Sequence, residues 1–437
     1  MNEQFRNLRK CIRRAPFGVL GLLVFVALPS TILFTDDYEY LQATTPWHSA
    51  FYTKFDWLLI PGVLVSCLMA RFIPDRRTTL LFLFSALAIA LSAAFAPHTP
   101  PGALYDGLLY WLRFVSVFTF AYGLTVQLGS RVTESLLYLL FVVLCGSAIF
   151  VYQLQFLEFR RIYASAMSVG SFAQVTVVVS LIAIARRQYA MLCLGVVFLV
   201  LTFSLTSTIL FIGIASLIPL TSSGASSQQA AQAFLRTRAR QLLLAGTVLL
   251  GFILLLCTLI SDIGYDLDLE AFTDLHGRRD IWLYALRLVW HGYVGLFGHG
   301  FGRSADYFQN LSLLASYASR DVRATHFHSI LFEGIMGLGI LCLPPLVSLA
   351  VRIGQSWRQS RYLSCAILLF FLLSQTIDFT VYRPKEVVIW AFMLGLATGL
   401  ARTGRSSRPR SQLLHTLRSP RTSQLAQTPA LVPGGLA

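Results

Sequence analysis

The sequence predicts an all-α integral membrane protein of about twelve membrane-spanning helices, with both termini on the cytoplasmic side. Three observations predict it. Charged residues make up 13% of the chain and hydrophobic ones 56%, whereas soluble domains carry roughly 25% charge. The charge that is present gathers in short connectors between long apolar blocks, as it does where helices cross a bilayer. The alternating strands of roughly ten residues that build a membrane barrel do not occur.

The net charge of +15 does not point to nucleic acid. The basic residues sit in connectors, as cytoplasmic loops do, and no basic soluble domain with interleaved aromatics accompanies them. The seven cysteines fall in apolar blocks or in the basic N-terminus and form no CxxC. They read as small packing residues, not as a disulfide framework or a thiolate zinc site.

Each span follows from an apolar run and the charges that bound it. Arg6, Arg9, Lys10, Arg13 and Arg14 precede a run from Pro16 to Phe34 with no A-x-A-like cleavage site, an uncleaved first span anchored inside. The acidic Asp36, Asp37 and Glu39 place the next connector outside. Trp57–Ala70 returns to Arg71, Arg76 and Arg77, and Thr78–Ala96 leads out to the helix-breaking Pro97–Pro101 turn. Gly107–Gln127 comes back near Arg131, Ser135–Tyr152 leads out to Glu158, Arg160 and Arg161, and Phe172–Ala185 returns at Arg186 and Arg187. The apolar stretch Tyr189–Leu220 is too long for one span at 1.5 Å per residue. It suits a hairpin turning at the hydroxyls of Ser204, Thr206, Ser207 and Thr208.

Leu242–Ile260 is the ninth span. A long outer segment follows, then Ser329–Val351, Tyr362–Ile377 and Val387–Leu400. The organisation is therefore a cytoplasmic N-terminus (1–15), spans one to nine (16–260), an outer loop (261–328) and spans ten to twelve (329–401). A basic tail (402–437), rich in Ser, Pro and Thr, is expected to be disordered. Most Lys and Arg fall inside in this threading and most acids outside, which orients it. No internal repeat is evident.

The outer segments carry the candidate chemistry. Arg160, Arg161, Arg278, Arg279, Arg320 and Arg323 lie on the side where Lys and Arg are normally scarce. As a group they suit a phosphate or diphosphate at headgroup level, gripped by guanidinium forks. Singly, each also reads as a neutraliser of Glu158, Asp274, Asp280 or Asp321. Ile281–Val289 reads as a short interfacial helix with Trp282 and Trp290 at headgroup level. The glycine run Gly295–Gly302 lacks the GK[ST] and βαβ setting of a nucleotide loop and reads as a tight turn.

His326 and His328 stand where the loop meets the tenth span. An imidazole there suits a general base; a structural hydrogen bond or a metal half-site are the blander readings. Arg113 and Glu333 are charges within spans, functional candidates by default, with snorkelling to the outer boundary as the alternative.

Together these segments resemble the O-antigen ligase and O-antigen polymerase superfamily of membrane glycosyltransferases. Gly277-Arg278-x-Asp280-Ile281-Trp282 followed by Gly298-x-Gly300-Phe301 is similar to the family's "GR", aliphatic, Trp and "G-x-G" pattern. His328-Ser329, running into Leu331-Phe332, Gly337 and Gly339, is similar to its "HN/HS…L…G" opening of a late span. Arg161 takes the place of its outer arginine before the sixth span. The likeness covers roughly Arg160 to Gly339.

The resemblance implies metal-independent, cofactor-free glycosyl transfer at the periplasmic face of a bacterial inner membrane. The donor would be a glycan on undecaprenyl diphosphate, the acceptor another glycan or lipid A-core, with other glycan-assembly proteins as partners. His328 would act as, or help position, the base for the acceptor hydroxyl. Arg278 and Arg161 would hold the diphosphate and stabilise the leaving group, with Arg160, Arg279, Trp282 and His326 binding substrate. Two departures stand out. The turn after Arg161, Ile162 to Gly170, lacks the usual asparagine, and Leu205-Thr206-Ser207-Thr208 lacks the arginine many members carry there. Arg160, Arg279 or Arg113 are the residues available to replace it. The missing arginine favours a polymerase slightly over a ligase. A transporter or flippase would instead gather polar groups at the bilayer midplane, and a non-enzymatic scaffold has no positive feature.

Overall fold

The computed structural model describes residues 14–21, 54–95, 103–154, 169–202, 204–216, 218, 278–290, 294–301, 329–377 and 384–403. Among them every regular element is helical. We number these α1 (Lys54–Ala70), α2 (Arg76–Phe95), α3 (Ala103–Gln127), α4 (Ser130–Leu154), α5 (Val169–Arg186), α6 (Tyr189–Leu201) and α7 (Leu205–Ala215). After an interval come α8 (Arg278–Trp290), α9 (Ile330–Leu338), a 3-10 turn (Gly339–Cys342), α10 (Leu343–Arg358), α11 (Tyr362–Ile377) and α12 (Pro384–Thr403).

Among the described residues five segments are long and apolar enough to cross a membrane: Arg76–Phe95, Gly107–Gln127, Ser130–Ile149, Ile330–Arg358 and Glu386–Thr403. Shorter apolar helices accompany them. Their outward faces are greasy. Leu64, Leu68 and Met69 on α1, Leu83 and Leu87 on α2, and Leu343 and Val347 on α10 are all exposed. A solvent of hydrocarbon explains such faces and water does not. The architecture is that of a multi-pass α-helical membrane protein.

At the centre α3 and α12 run side by side in the same direction, the most extensive helix contact in the bundle. Gly395 and Gly399 make this possible. A Cβ on Gly395 would sit 2.5 Å from the Phe118 carbonyl oxygen, and one on Gly399 would sit 2.6 Å from the Thr125 side chain. This is a small-xxx-small contact, through which two backbones approach closely enough for dispersion to hold them. Around that pair, α2 packs on α3, α5 on α6, and α11 on α5, α7, α10 and α12.

The polarity of the bundle is plain in its charges. Arg71, Arg76, Arg77, Arg131, Arg186, Arg187, Arg352, Arg358, Arg361 and Arg402 all lie at one end. Tyr122 near the end of α3, the connector before α2, and the late turns of α10 and α12 meet there through side-chain hydrogen bonds. This basic end is the end the threading places inside.

Three features differ in detail from the sequence reading. The Tyr189–Leu220 stretch breaks at Thr202–Ser204, slightly ahead of most of the hydroxyls. Ser207 and Thr208 lie within α7, buried on the face that packs on α5 and α11. The tenth span is interrupted by the 3-10 turn at Gly339–Cys342. And α12 continues through Arg402 and Thr403, which the sequence reading assigns to the tail. Arg402 holds the helix there, donating to the Tyr122 hydroxyl at 3.0 Å with its guanidinium over the same ring.

Candidate functional site

The end of the bundle opposite the basic one brings together segments far apart in sequence. The interruption after α9 is the organising feature. Gly339 has φ +60°, a left-handed conformation that glycine adopts without strain. A helix that stops leaves carbonyls without partners, a serious cost at membrane depth. The glycine turn 294–301 supplies the partners. His299 N–H donates to the Met336 carbonyl at 2.8 Å, and Gly300 N–H to that of Gly337 at 3.1 Å. In return Ile340 N–H donates to the Leu296 carbonyl at 3.1 Å. The buried Ser92 hydroxyl of α2 adds a 2.7 Å bond to the Gly337 carbonyl.

The turn can come this close only because of its glycines. Gly298 has φ +74°, and a Cβ on it would fall 2.5 Å from the Gly337 backbone. The glycine run read as a tight turn is thus a backbone plug for a broken helix.

Helix α8 packs on the same place. Ile281, Tyr284, Ala285 and Leu288 form one face and bury Met336 of α9. Trp282 stacks on Phe332, ring centroids 6.0 Å apart and planes at 29°. The Arg-Trp segment, the Gly-x-Gly-Phe turn and the Ser329–Gly339 segment therefore form one packed unit. Arg278 and Arg279 open α8, one turn before Trp282, and their side chains lie outside the described part. His328 immediately precedes the buried Ser329. His326, His328, Arg160 and Arg161 lie outside the described residues, as do Arg320 and Arg323.

Beneath this unit lies a cavity of about 300 Å3. Phe301 closes its top, edge-on to Tyr110 at 5.0 Å, with Glu333 beside them. Its walls are apolar, among them Phe82, Phe114, Phe118 and Phe371, and Thr78 and Arg352 stand at the basic end.

Beside the cavity the core holds polar groups that the sequence reading passes over. Glu386, in the first turn of α12, is fully buried and accepts a hydrogen bond from Ser171 of α5. The Gln174 side-chain oxygen accepts from Gln375 at 2.9 Å and from the Trp390 indole at 3.2 Å. Arg113 is also fully buried, so it does not snorkel. Arg113, Glu333 and Glu386 all act electrostatically on the Tyr110 hydroxyl. A buried charge is tolerated only among compensating charges and hydrogen bonds. Here both signs are present.

The sequence signal for Glu386 is a carboxylate one residue ahead of an apolar run. That pattern equally describes a solvated helix start. Gln174 and Gln375 each interrupt an apolar run, which is the clearer signal.

Compared with known proteins, the sequence matches no family model and none of the curated proteins.

Proposed function

We propose that this protein is a membrane glycosyltransferase of the O-antigen ligase and polymerase kind, acting on a glycan carried by undecaprenyl diphosphate at the periplasmic face of a bacterial inner membrane. One observation carries the reading. Two of the three segments on which the resemblance rests, the Arg278–Trp282 and Gly298–Phe301 pattern and the span that opens at Ser329, pack into a single unit at the end of the bundle opposite the basic one.

In this reading His328 takes the proton of the acceptor hydroxyl as that oxygen attacks the anomeric carbon, and undecaprenyl diphosphate leaves. Arg278 and Arg161 stabilise the charge that grows on the diphosphate, and Arg160 and Arg279 assist. His326 and Trp282 bind the sugar, for which an aromatic face is a suitable platform. Arg113 is fully buried, which makes it a poorer replacement for the absent arginine than Arg160 or Arg279.

Transport is the competing reading, since transporters use broken helices. Those helices offer their free backbone carbonyls to a cargo. Here the Met336 and Gly337 carbonyls are occupied by the glycine turn.

The test is complementation of a deletion strain. His328→Ala and Arg278→Ala should abolish surface-glycan assembly, by at least about 100-fold for loss of a base, while His326→Ala weakens it. Normal assembly by both of the first two variants would remove the proposed mechanism. The deletion strain also separates the acceptors. A polymerase mutant loses long chains from its glycans, whereas a ligase mutant makes polymer that is never joined to lipid A-core. The polymerase outcome is the one we favour.

A further inference from the structure

We infer that the cavity beside α2 is a binding slot for one acyl chain of an anionic diacyl phospholipid, entered from the leaflet at the basic end. The inference is independent of the glycosyl-transfer reading.

Its shape comes from two clamps. At one end Ser92 of α2 bonds to the Gly337 carbonyl; at the other Arg352 of α10 bonds to the Thr78 hydroxyl of α2 at 2.7 Å. Between the clamps lies the cavity, walled mainly by aromatic and aliphatic side chains. The slot's two flanking helices carry exposed apolar rows, Leu80, Leu83 and Leu87 on α2 and Leu343, Val347 and Val351 on α10. Such rows face lipid. A dry apolar space beside lipid is filled at least cost by a hydrocarbon chain, since an empty one forfeits its dispersion contacts.

Charge sets the direction. The cavity has a guanidinium at one end, Arg352, and a carboxylate at the other, Glu333. Exposed Arg76 and Arg77 stand next to the Arg352 end. An anionic headgroup is therefore drawn to Arg352 and repelled from Glu333. Arg352 also has capacity for it. Among the described residues it engages Thr78 and, at 3.8 Å, Asp75, both through Nη2. That leaves its Nε and Nη1 donors for a phosphate, which a guanidinium binds in bidentate fashion. A zwitterionic lipid would fill the slot equally well but gain less at this end. Cavity size is a second discriminator, because about 300 Å3 is at the small end for a ligand pocket. It suits one linear chain better than a long branched polyprenyl chain.

The test uses the full-length protein in nanodiscs of phosphatidylcholine doped with dioleoyl phosphatidylglycerol, with retained lipid counted by native mass spectrometry after detergent transfer. Phosphatidylglycerol should be retained in preference to phosphatidylcholine. Arg352→Gln should weaken its retention by about tenfold, the factor one charge-assisted hydrogen bond is worth. Arg352→Lys, which keeps the charge but not the planar fork, should fall between the wild type and Arg352→Gln. Leu349→Trp, which fills the slot and leaves Arg352 in place, should remove it. Added undecaprenyl phosphate should not displace it. Equal retention of the two phospholipids overturns the inference, as does undiminished retention in Leu349→Trp. Displacement by undecaprenyl phosphate also overturns it and reassigns the slot to a polyprenyl lipid.

Discussion

The two ends of this bundle handle charge in opposite ways. At the basic end each ion pair keeps at least one partner partly exposed and fastens helices to one another. Arg186 grips Glu134 with two hydrogen bonds and reaches Ser130, tying α5 to α4. Asp75 accepts from the Thr78 and Tyr122 hydroxyls at 2.6 and 3.0 Å and faces Arg352. At the opposite end Arg113 and Glu386 are fully buried, with Gln174, Gln375 and Trp390 in a hydrogen-bonded set of their own. Fastening with partly exposed pairs is worth little where solvent screens the charge. Burial of both charges is expensive and persists only where every partner is in place. The basic end thus joins helix ends to one another, and the other end holds fully buried charges of both signs.

Substitutions should show this asymmetry. The largest effect is expected from Glu386→Ala, which removes the fully buried carboxylate that accepts from Ser171. It should lower stability by about 3 kcal/mol, read as a fall in Tm in detergent. Gln174→Leu comes next, at about 2 kcal/mol, because it removes the oxygen that accepts from both the Gln375 amide and the Trp390 N–H. A loss as small as that of a surface substitution would break the comparison.

Gly298→Ala should cost about 1–2 kcal/mol through its positive φ and its contact with the Gly337 backbone. Its signature is local: faster amide exchange at His299, Gly300 and Ile340, whose N–H groups hold the turn to the helix break. Protection unchanged at those three amides would show that the turn is not the plug described here.

The smallest effect belongs to the basic end. Asp75→Asn should cost about 0.5 kcal/mol near neutral pH, as suits a partly exposed ion pair. Burial raises the Asp75 carboxyl pKa, but the Thr78 hydroxyl, the Arg352 charge and the Tyr122 hydroxyl together outweigh it and hold the group below its ordinary 3.8. A depressed carboxylate contributes stability above its unfolded value and loses it as pH falls through the folded one. The difference between the wild type and Asp75→Asn should therefore be constant down to about pH 4 and vanish in stronger acid. A difference that instead grew in acid would mean the sign of the shift is wrong.

Much of this protein was legible without coordinates. Long apolar runs specify helices because a backbone in hydrocarbon must bond within itself. Basic connectors mark which helix ends lie together, and this holds from Arg71 to Arg402. The Arg278–Trp282, Gly298–Phe301 and Ser329–Gly339 segments could be singled out as three local patterns. What no run or spacing expresses is where such patterns meet. That the glycine turn caps the carbonyls of an interrupted helix depends on backbone groups identical in every residue. That Glu386 is buried beside Ser171, and that Arg352 closes a slot against Thr78, depends on which helix lies next to which. Hydropathy and charge act residue by residue and so are written in the chain. Burial, the filling of a cavity and the completion of a hydrogen bond are properties of neighbours, and only the tertiary structure decides those.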